Sequence, residues 1–224
     1  MPRYRRGFEV ADAHAGLARR DRPFGRWLAR VGPLPPDPRW RRPFDPVDAL
    51  ARAILYQQLS GKAAATIVGR VEAAIGSRRL HADTLGRVDD AALRGCGVSA
   101  NKALALRDLA RREAAGEIPD LRRMAAMDDD AIVAALVPVR GIGRWTVQMM
   151  LMFRLGRPDV LPVDDLGIRK GAQAIDRAEA MPSPRELAAR GADWGPFRTY
   201  ASLYLWRIAD AAAPQARPVP RSQE

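Results

Sequence analysis

Apolar residues along this chain recur at intervals of three and four positions, the spacing of one face of an α-helix. In one clear case, Val47, Leu50 and Ile54 follow Asp45-Pro46, a pair typical of a helix start. No stretch alternates apolar and polar residues with a period of two, so no strand is predicted. The pattern predicts an all-α fold with helices over residues 8–20, 22–31, 46–57, 63–75, 89–93, 99–110, 128–136, 144–155, 166–178, 184–190 and 197–212.

Residues 32–43 interrupt this pattern because prolines occur there every few positions, and proline is excluded from helix interiors. An extended connector is therefore predicted. The expected domain organisation has an N-terminal helical arm and connector (1–44) that packs on a helical core (45–212). The proline-containing tail (213–224) is expected to be disordered.

The composition limits the classes of function. A formal net charge of +11 and a pI near 10.9 favour a polyanionic partner such as nucleic acid. One cysteine and two histidines exclude a disulfide framework and a four-cysteine iron–sulfur or zinc site within this chain. No apolar run is long enough to span a membrane, and the arginine-rich start lacks the apolar core of a signal peptide. We expect a cytoplasmic protein without a catalytic metal or cofactor.

Two glycines, Gly141 and Gly143, lie between the predicted helices 128–136 and 144–155. Glycine permits a tight turn, and the helix that begins near Arg144 adds unpaired amides and the positive end of its dipole. Such a hairpin can bind a phosphate group of nucleic acid without reading any base. Ile142 is expected to turn inward and hold the hairpin to the core. An ordinary helix–turn–helix connection is the alternative.

A carboxylate pair, Asp164-Asp165, precedes the predicted helix 166–178. At least one of the two should cap that helix, and a solvated capping pair is the simplest interpretation. The functional interpretation is a carboxylate that stabilises a sugar cation and orients an attacking water, as in glycoside hydrolysis. The sequence leaves both interpretations open.

Five segments resemble, in their order along the chain, the helix–hairpin–helix DNA glycosylase superfamily, and more narrowly its DNA-3-methyladenine glycosylase II branch. They are YQQLSGKAA (56–64), GVSANK (97–102), LVPVRGIGRWT (136–146), RPDVLPVDDLG (157–167) and WGPFRTYA (194–201). The resemblance implies a two-lobed helical bundle with the active site in the cleft between the lobes. Few residues precede the helix at Asp45, so the chain resembles a compact form without an additional N-terminal domain.

The implied activity is excision of alkylated purines, such as 3-methyladenine and 7-methylguanine, from double-stranded DNA. The enzyme would bind the minor groove, flip the damaged nucleotide out of the duplex and leave an abasic site. By resemblance, the essential acid is Asp165, the carboxylate directly before Leu166-Gly167, in preference to Asp164.

The resemblance also bears on the mechanism. Relatives that cleave the DNA backbone carry a lysine directly after the Gly-x-Gly-Arg run, and this lysine forms a Schiff base with the sugar. Trp145 occupies that position here. The resemblance therefore implies a monofunctional enzyme in which water attacks the sugar.

Four residues are the predicted base pocket. An aromatic face at Trp145 suits a cationic purine through stacking and cation–π attraction. Trp206 is the second predicted aromatic wall, and Tyr56 and Met149 complete the pocket. Packing roles for the two tryptophans remain the alternative, and a tyrosine replaces Met149 in some members.

The turn after the helix at 46–57 matches the family's DNA wedge, with Gln58 the expected plug and Leu59 next. A plain helix end is the alternative. The resemblance places phosphate binding on the hairpin. The hairpin residues are Val139, Gly141, Gly143, Arg144 and Thr146, and Lys62, Lys102 and Arg140 are further candidate phosphate contacts.

The expected partner is double-stranded DNA, bound by a monomer at the nucleoid, with no membrane association. The resemblance admits a structural monovalent cation on the hairpin carbonyls, and no cofactor is otherwise expected. Two other functions remain open. One is a non-catalytic hairpin protein that recognises damaged DNA, and the other is a glycosylase for oxidised or deaminated bases.

Overall fold

The computed structural model describes residues 6–212, and within this range it is helical and contains no strand, which confirms the all-α prediction. The predicted disordered tail lies outside the described residues. The thirteen α-helices in this range are α1 (Val10–Arg20), α2 (Arg22–Val31), α3 (Pro46–Tyr56), α4 (Gly61–Ile75), α5 (Ala82–Leu85), α6 (Asp90–Gly95), α7 (Ala100–Ala114), α8 (Leu121–Ala126), α9 (Asp129–Leu136), α10 (Arg144–Met150), α11 (Leu166–Asp176), α12 (Pro184–Arg190) and α13 (Arg198–Ala212).

The predicted helix starts are confirmed by their capping hydrogen bonds. Asp45 accepts from two amides of the first turn of α3, at 3.0 and 3.1 Å. Ser60, Ser99 and Asp128 each accept from the amide three residues later, at 3.3, 3.4 and 2.7 Å. These side chains satisfy amides that the helix itself leaves without partners.

Three features of the fold differ from the prediction. The connector is not fully extended, because Pro38–Arg41 forms a 3-10 turn whose Trp40 indole donates to the carbonyl of Met152 at 2.8 Å. The helix predicted over 144–155 changes at Leu151–Leu155 into one turn of π-helix. The short helices α5 and α8 were not predicted, since four to six residues give too little periodicity to detect.

Contacts within the described residues divide them into two units, which we call unit 1 (Arg6 and Pro38–Leu155) and unit 2 (Gly7–Asp37 and 156–212). These boundaries differ from the predicted arm of 1–44 and core of 45–212, which stay a prediction. Each unit has its own buried apolar residues, as expected for a compact helical unit.

In unit 1, α3 packs against α4 and α7, and α9 packs against α10. The packing buries one face of α3, on which Leu50, Ile54 and Leu55 are fully buried. Burial of each such side chain stabilises the fold by about 1.5–3 kcal/mol. The helix α3 ends at Tyr56, just before the predicted wedge.

In unit 2, α11 lies directly against α13. The approach depends on Gly171, because a Cβ there would overlap the main chain of Leu205. Trp194 is fully buried and donates its indole hydrogen to Asp21 at 2.8 Å. The close approach of α11 and α13 fixes the position of Trp206, on α13, relative to the start of α11.

Candidate active site

The predicted hairpin forms between α9 and α10 in unit 1. The Val139 amide donates to the Leu136 carbonyl at 3.1 Å, and the Ile142 amide donates to the Val139 carbonyl at 3.0 Å. The side chains of Val139 and Ile142 are buried, so Ile142 turns inward as predicted. Gly141 has a φ of +79°, a conformation that favours glycine.

The outer face of the hairpin carries the amides available for an anion. Gly143 caps α10 without a side-chain hydrogen bond, and the amides in the first turn of an α-helix have no acceptor within the helix itself. The amide of Val139 is already committed to Leu136. The buried Val139 side chain anchors the hairpin, and its predicted part in phosphate binding stays a prediction.

Asp108 of α7 anchors the hairpin from behind. Its carboxylate accepts the Arg140 amide at 2.8 Å and ion-pairs with Arg111 and Arg112 at 2.9 and 3.0 Å. Burial disfavours its charged form, but the hydrogen bonds from these three donors outweigh burial and lower the pKa of Asp108 to about 2.

The Asp108 contact predicts an acid-sensitive contribution to stability. A carboxyl whose pKa is lower in the folded state stabilises the protein above its ordinary pKa of 3.8 and stops doing so as the pH falls towards 2. Asp108→Asn should lower the free energy of unfolding at pH 7 by about 1–2 kcal/mol, with a smaller deficit at pH 3. Urea unfolding at both pH values measures this.

Asp83→Asn is the matched control, because Asp83 is 75% exposed and lies 3.9 Å from Arg87. Little change is expected at either pH. A deficit in Asp108→Asn that is the same at pH 7 and pH 3 would contradict the assigned role of the charge.

The predicted wedge is the turn that follows α3. Gln58 has a φ of +57°, a left-handed conformation unusual for a residue with a side chain, and it is exposed. Leu59 is 39% exposed. Backbone strain of this kind persists where the surroundings hold it, and it is concentrated at functional sites. A left-handed residue directly after the C-cap is also common at ordinary helix ends, so the wedge stays a prediction.

Two side chains hold this turn in place. Lys102 donates through Nζ to the carbonyls of Leu55 and Gln57, both at 2.8 Å, and its burial lowers the pKa of its ammonium group. Gln57 donates through Nε2 to the Gly141 carbonyl at 2.7 Å, which links the wedge to the hairpin. Lys102 therefore stabilises the wedge and is not placed as a phosphate contact.

A cavity of about 900 Å3 opens in unit 1 beside the wedge and the hairpin. Its lining includes three of the predicted pocket residues, Tyr56, Trp145 and Met149, together with Gln58 and Phe153. Trp145 is 48% exposed, so it is not a core residue. The volume is in the range of cavities that hold small organic ligands, and a purine fits within it.

The carboxylate pair lies in unit 2 at the start of α11. Asp165 is the N-cap of this helix and accepts the Ile168 amide through Oδ1 at 3.0 Å. The same oxygen accepts the indole hydrogen of Trp206 at 2.9 Å. Asp164 is exposed in the preceding turn. The structure therefore distinguishes the two acids, and only Asp165 has this pair of donors.

The contact between Asp165 and Trp206 depends on a glycine. A Cβ at Gly167 would lie 2.7 Å from Trp206 Cδ1 and 3.2 Å from Asp165 Oδ1, closer than such atoms pack. The sequence predicted Trp206 as a pocket wall. In the structure its indole donates to the carboxylate, a contact between residues 41 positions apart that no local pattern reveals. Its place in the pocket stays a prediction.

An ion pair fixes the loop that leads to Asp165. Arg198, the first residue of α13, binds Asp159 in a bidentate manner, with both distances 2.7 Å. The hydrogen bonds from Arg198 lower the pKa of Asp159. Thr199 completes the attachment, because its hydroxyl donates to Arg157 and accepts the Val160 amide. Sequence reasoning did not identify Asp159, Arg198 or Thr199.

No group of three or more His, Cys, Asp or Glu side chains in residues 6–212 is arranged to hold a metal ion. The monovalent cation that the resemblance admits would be held by hairpin carbonyls, whose oxygens have two lone pairs each. The carbonyls of Val139 and Gly141 already accept one hydrogen bond each. Throughout 6–212, the structure has no helix long and apolar enough to cross a membrane.

The comparison with protein families agrees with this geometry. Residues 51–197 match the family model of the HhH-GPD superfamily base excision DNA repair proteins. This range includes the wedge, the hairpin and Asp165. The chain belongs to this superfamily, as the sequence resemblance predicted.

Individual relatives narrow the comparison. The chain is 34% identical over 169 residues to DNA-3-methyladenine glycosylase 1 of Schizosaccharomyces pombe, covering 75% of this chain and 74% of that protein. A crystal structure of a DNA-3-methyladenine glycosidase from Bacillus halodurans superposes with a TM-score of 0.78 at 33% identity, covering 90% of this chain and 89% of the other. The S. pombe 3-methyladenine DNA glycosylase in complex with abasic DNA superposes with a TM-score of 0.73 at 31% identity, covering 90% and 98%.

Proposed function

We propose that this protein is a monofunctional DNA glycosylase that excises alkylated purines from double-stranded DNA and leaves abasic sites. The observation that carries the proposal is the Asp165 carboxylate, oriented by Ile168 and Trp206 at the start of α11. It occurs in a chain of the base excision superfamily whose relatives are named 3-methyladenine glycosylases.

In the proposed reaction, the bond between sugar C1′ and the base nitrogen breaks, and its electron pair leaves with the base. A purine alkylated at N3 or N7 is cationic in the nucleotide, so it departs as a neutral molecule. The sugar acquires oxocarbenium character, which the negative charge of Asp165 stabilises. A water oxygen then adds to C1′ and loses its proton to solvent.

The two donors to Asp165 Oδ1 define what the carboxylate can do. They fix its orientation at the start of α11. An ionised, oriented carboxylate stabilises a developing cation without reorganising during the reaction.

The cavity of unit 1 is the proposed pocket for the flipped base. Tyr56 and Trp145 offer exposed aromatic faces, and Met149 adds a polarisable side chain. Trp145 has no amine, so a Schiff base with the sugar cannot form at that position. The proposed enzyme therefore hydrolyses the glycosidic bond and does not cleave the DNA strand.

DNA binding is assigned to two elements of unit 1. The strained, exposed Gln58, with Leu59 beside it, is the proposed wedge that fills the space of the flipped base from the minor groove. The outward amides of the hairpin at Gly143, Arg144 and Thr146 bind backbone phosphates, and the turn at Gly141 orients them. We propose that a monomer acts on DNA at the nucleoid.

Incubation with methylated DNA is the direct test. Release of 3-methyladenine and 7-methylguanine, with strand breaks that develop only after alkali treatment, is the expected result. Strand breaks without alkali would contradict the monofunctional mechanism. Duplex binding without any base release would favour the non-catalytic alternative. A panel of duplexes with hypoxanthine or 8-oxoguanine tests the remaining alternative, a glycosylase for oxidised or deaminated bases. Faster excision of these bases than of alkylated purines would contradict the proposed substrate class.

A further inference from the structure

Four arginines gather at one end of unit 1, and we call them the arginine cluster: Arg6, Arg39, Arg42 and Arg154. The Arg6 guanidinium donates to the carbonyls of Arg154 and Arg42, at 3.2 and 2.6 Å. Arg39 and Arg154 both line the 900 Å3 cavity. None of these residues belongs to the hairpin, the wedge or the carboxylate site.

The two cavity-lining arginines are held over aromatic rings. The Arg39 guanidinium carbon lies 3.9 Å from the centre of the Phe153 ring, and that of Arg154 lies 5.4 Å from the centre of Phe44. Stacking on an aromatic face fixes the plane of a guanidinium group. The two side chains are therefore ordered in advance of any ligand.

The backbone around the cluster is also unusual. Arg154 and Phe153 lie on the single π-helical turn at Leu151–Leu155. Arg39 lies on the 3-10 turn that Trp40 fastens to Met152. A π-helical turn is rare, and such turns occur frequently at functional sites. Here it places an aromatic ring and a guanidinium side by side on the cavity wall.

The electrostatics of the cluster favour an anion. Burial and then the positive charges of Arg39, Arg6 and Arg42 lower the pKa of Arg154, and the negative charge of Asp48 opposes them. Asp48 is already bound to Arg52 at 2.7 Å and to the Leu80 amide at 3.1 Å. An anion at the cluster would relieve this repulsion, because it favours the charged form of each guanidinium.

We propose that Arg39 and Arg154, supported by Arg6 and Arg42, form a second phosphate-binding site at the arginine end of the cavity. Its ligand is a phosphodiester group of the DNA backbone, separate from the phosphates bound by the hairpin. Guanidinium groups bind phosphate oxygens in a bidentate manner, and this geometry suits a fixed pair of planes. The proposal rests on the proposed function, since it takes DNA as the ligand.

The salt dependence of duplex binding tests the site. Fluorescence anisotropy would measure the dissociation constant for a duplex with a tetrahydrofuran abasic analogue at several salt concentrations. Arg154→Gln is expected to weaken binding about tenfold and to make the slope of log K against log salt shallower by about one. Arg39→Gln should behave similarly. It is the second variant because replacing the half-buried Arg154 risks the fold.

Arg122→Gln is the matched control, because Arg122 is exposed on α8 and loses the same charge. Its slope is expected to equal that of the parent protein. Equal slopes for the parent, Arg39→Gln and Arg154→Gln would overturn the second site. An equally large change of slope in Arg122→Gln would also overturn the second site, because the loss of any surface charge would then have the same effect.

A second measurement needs no DNA and so separates this proposal from the proposed function. Inorganic pyrophosphate at millimolar concentration is expected to raise the Tm of the parent protein by about 2 °C or more, and that of Arg39→Gln and Arg154→Gln by less. Equal shifts, or none in the parent, would overturn the anion site. A parent protein that binds no duplex would contradict the proposed function. The Tm shifts with pyrophosphate would then be the only test of the anion site.

Discussion

Asp165→Asn is expected to lower the rate of base excision at least about 100-fold, while duplex binding changes little. The substitution removes the negative charge of the side chain and keeps its hydrogen bonds. Asparagine retains a side-chain oxygen that can accept the Ile168 amide and the Trp206 indole hydrogen, and it is a favourable helix N-cap. The fold and the orientation of the group are preserved, and stabilisation of the sugar cation is lost. A 100-fold effect corresponds to about 2.7 kcal/mol of transition-state stabilisation.

Single-turnover excision from a duplex with one 3-methyladenine analogue or one 7-methylguanine measures the chemical step. Anisotropy with an abasic-analogue duplex measures binding. Asp164→Asn is the matched control, because Asp164 is exposed in the adjacent turn and loses the same charge. Its rate should stay within about threefold of the parent. Near-normal excision by Asp165→Asn, or a large loss in Asp164→Asn, would contradict the assignment.

Local sequence patterns were sufficient to predict most of the helices. Helices were predicted to start near Asp45, Ser60, Ser99 and Asp128, and each of these residues accepts a hydrogen bond from the first turn of its helix. Caps act within three residues, so the sequence carries the whole signal. The match of residues 51–197 to the superfamily likewise follows motifs that are visible as short segments.

The features that the sequence did not predict depend on local geometry or on distant contacts. Proline forbids the interior of an α-helix, but a 3-10 turn as short as Pro38–Arg41 needs few internal hydrogen bonds. The π-helical turn at Leu151–Leu155 is rich in apolar residues, as is the α-helix before it. Apolar spacing predicted helix here correctly, but it contains no information about the wider turn.

The candidate site was predictable in its residue types and less so in its contacts. Lys102 was a candidate phosphate contact. Its partners are the carbonyls of Leu55 and Gln57, almost fifty positions earlier in the chain. Trp206 is a predicted pocket wall, and in the structure it also donates to Asp165. These contacts depend on packing between helices, which brings distant residues together.

Gly167→Ala is expected to lower the rate of excision about tenfold or more, although it adds only one methyl group. The new Cβ would lie 2.7 Å from Trp206 Cδ1 and 3.1 Å from its Nε1. An indole is rigid, so it cannot bend away at its end as a flexible side chain does. The ring must shift, and its hydrogen bond to Asp165 is then lost. A misplaced catalytic group of this kind costs rate more than substrate affinity.

Gly69→Ala is the matched control for Gly167→Ala, because Gly69 lies in α4 and a Cβ there has no heavy atom within 4 Å. This control is expected to raise the free energy of unfolding by about 0.5–1 kcal/mol, since alanine favours a helix, with excision unchanged. Trp206→Phe removes the indole donor, so it should lower kcat as Gly167→Ala does, with a smaller change in KM. Parent-like kcat in both Gly167→Ala and Trp206→Phe would show that the carboxylate does not depend on the indole for its orientation.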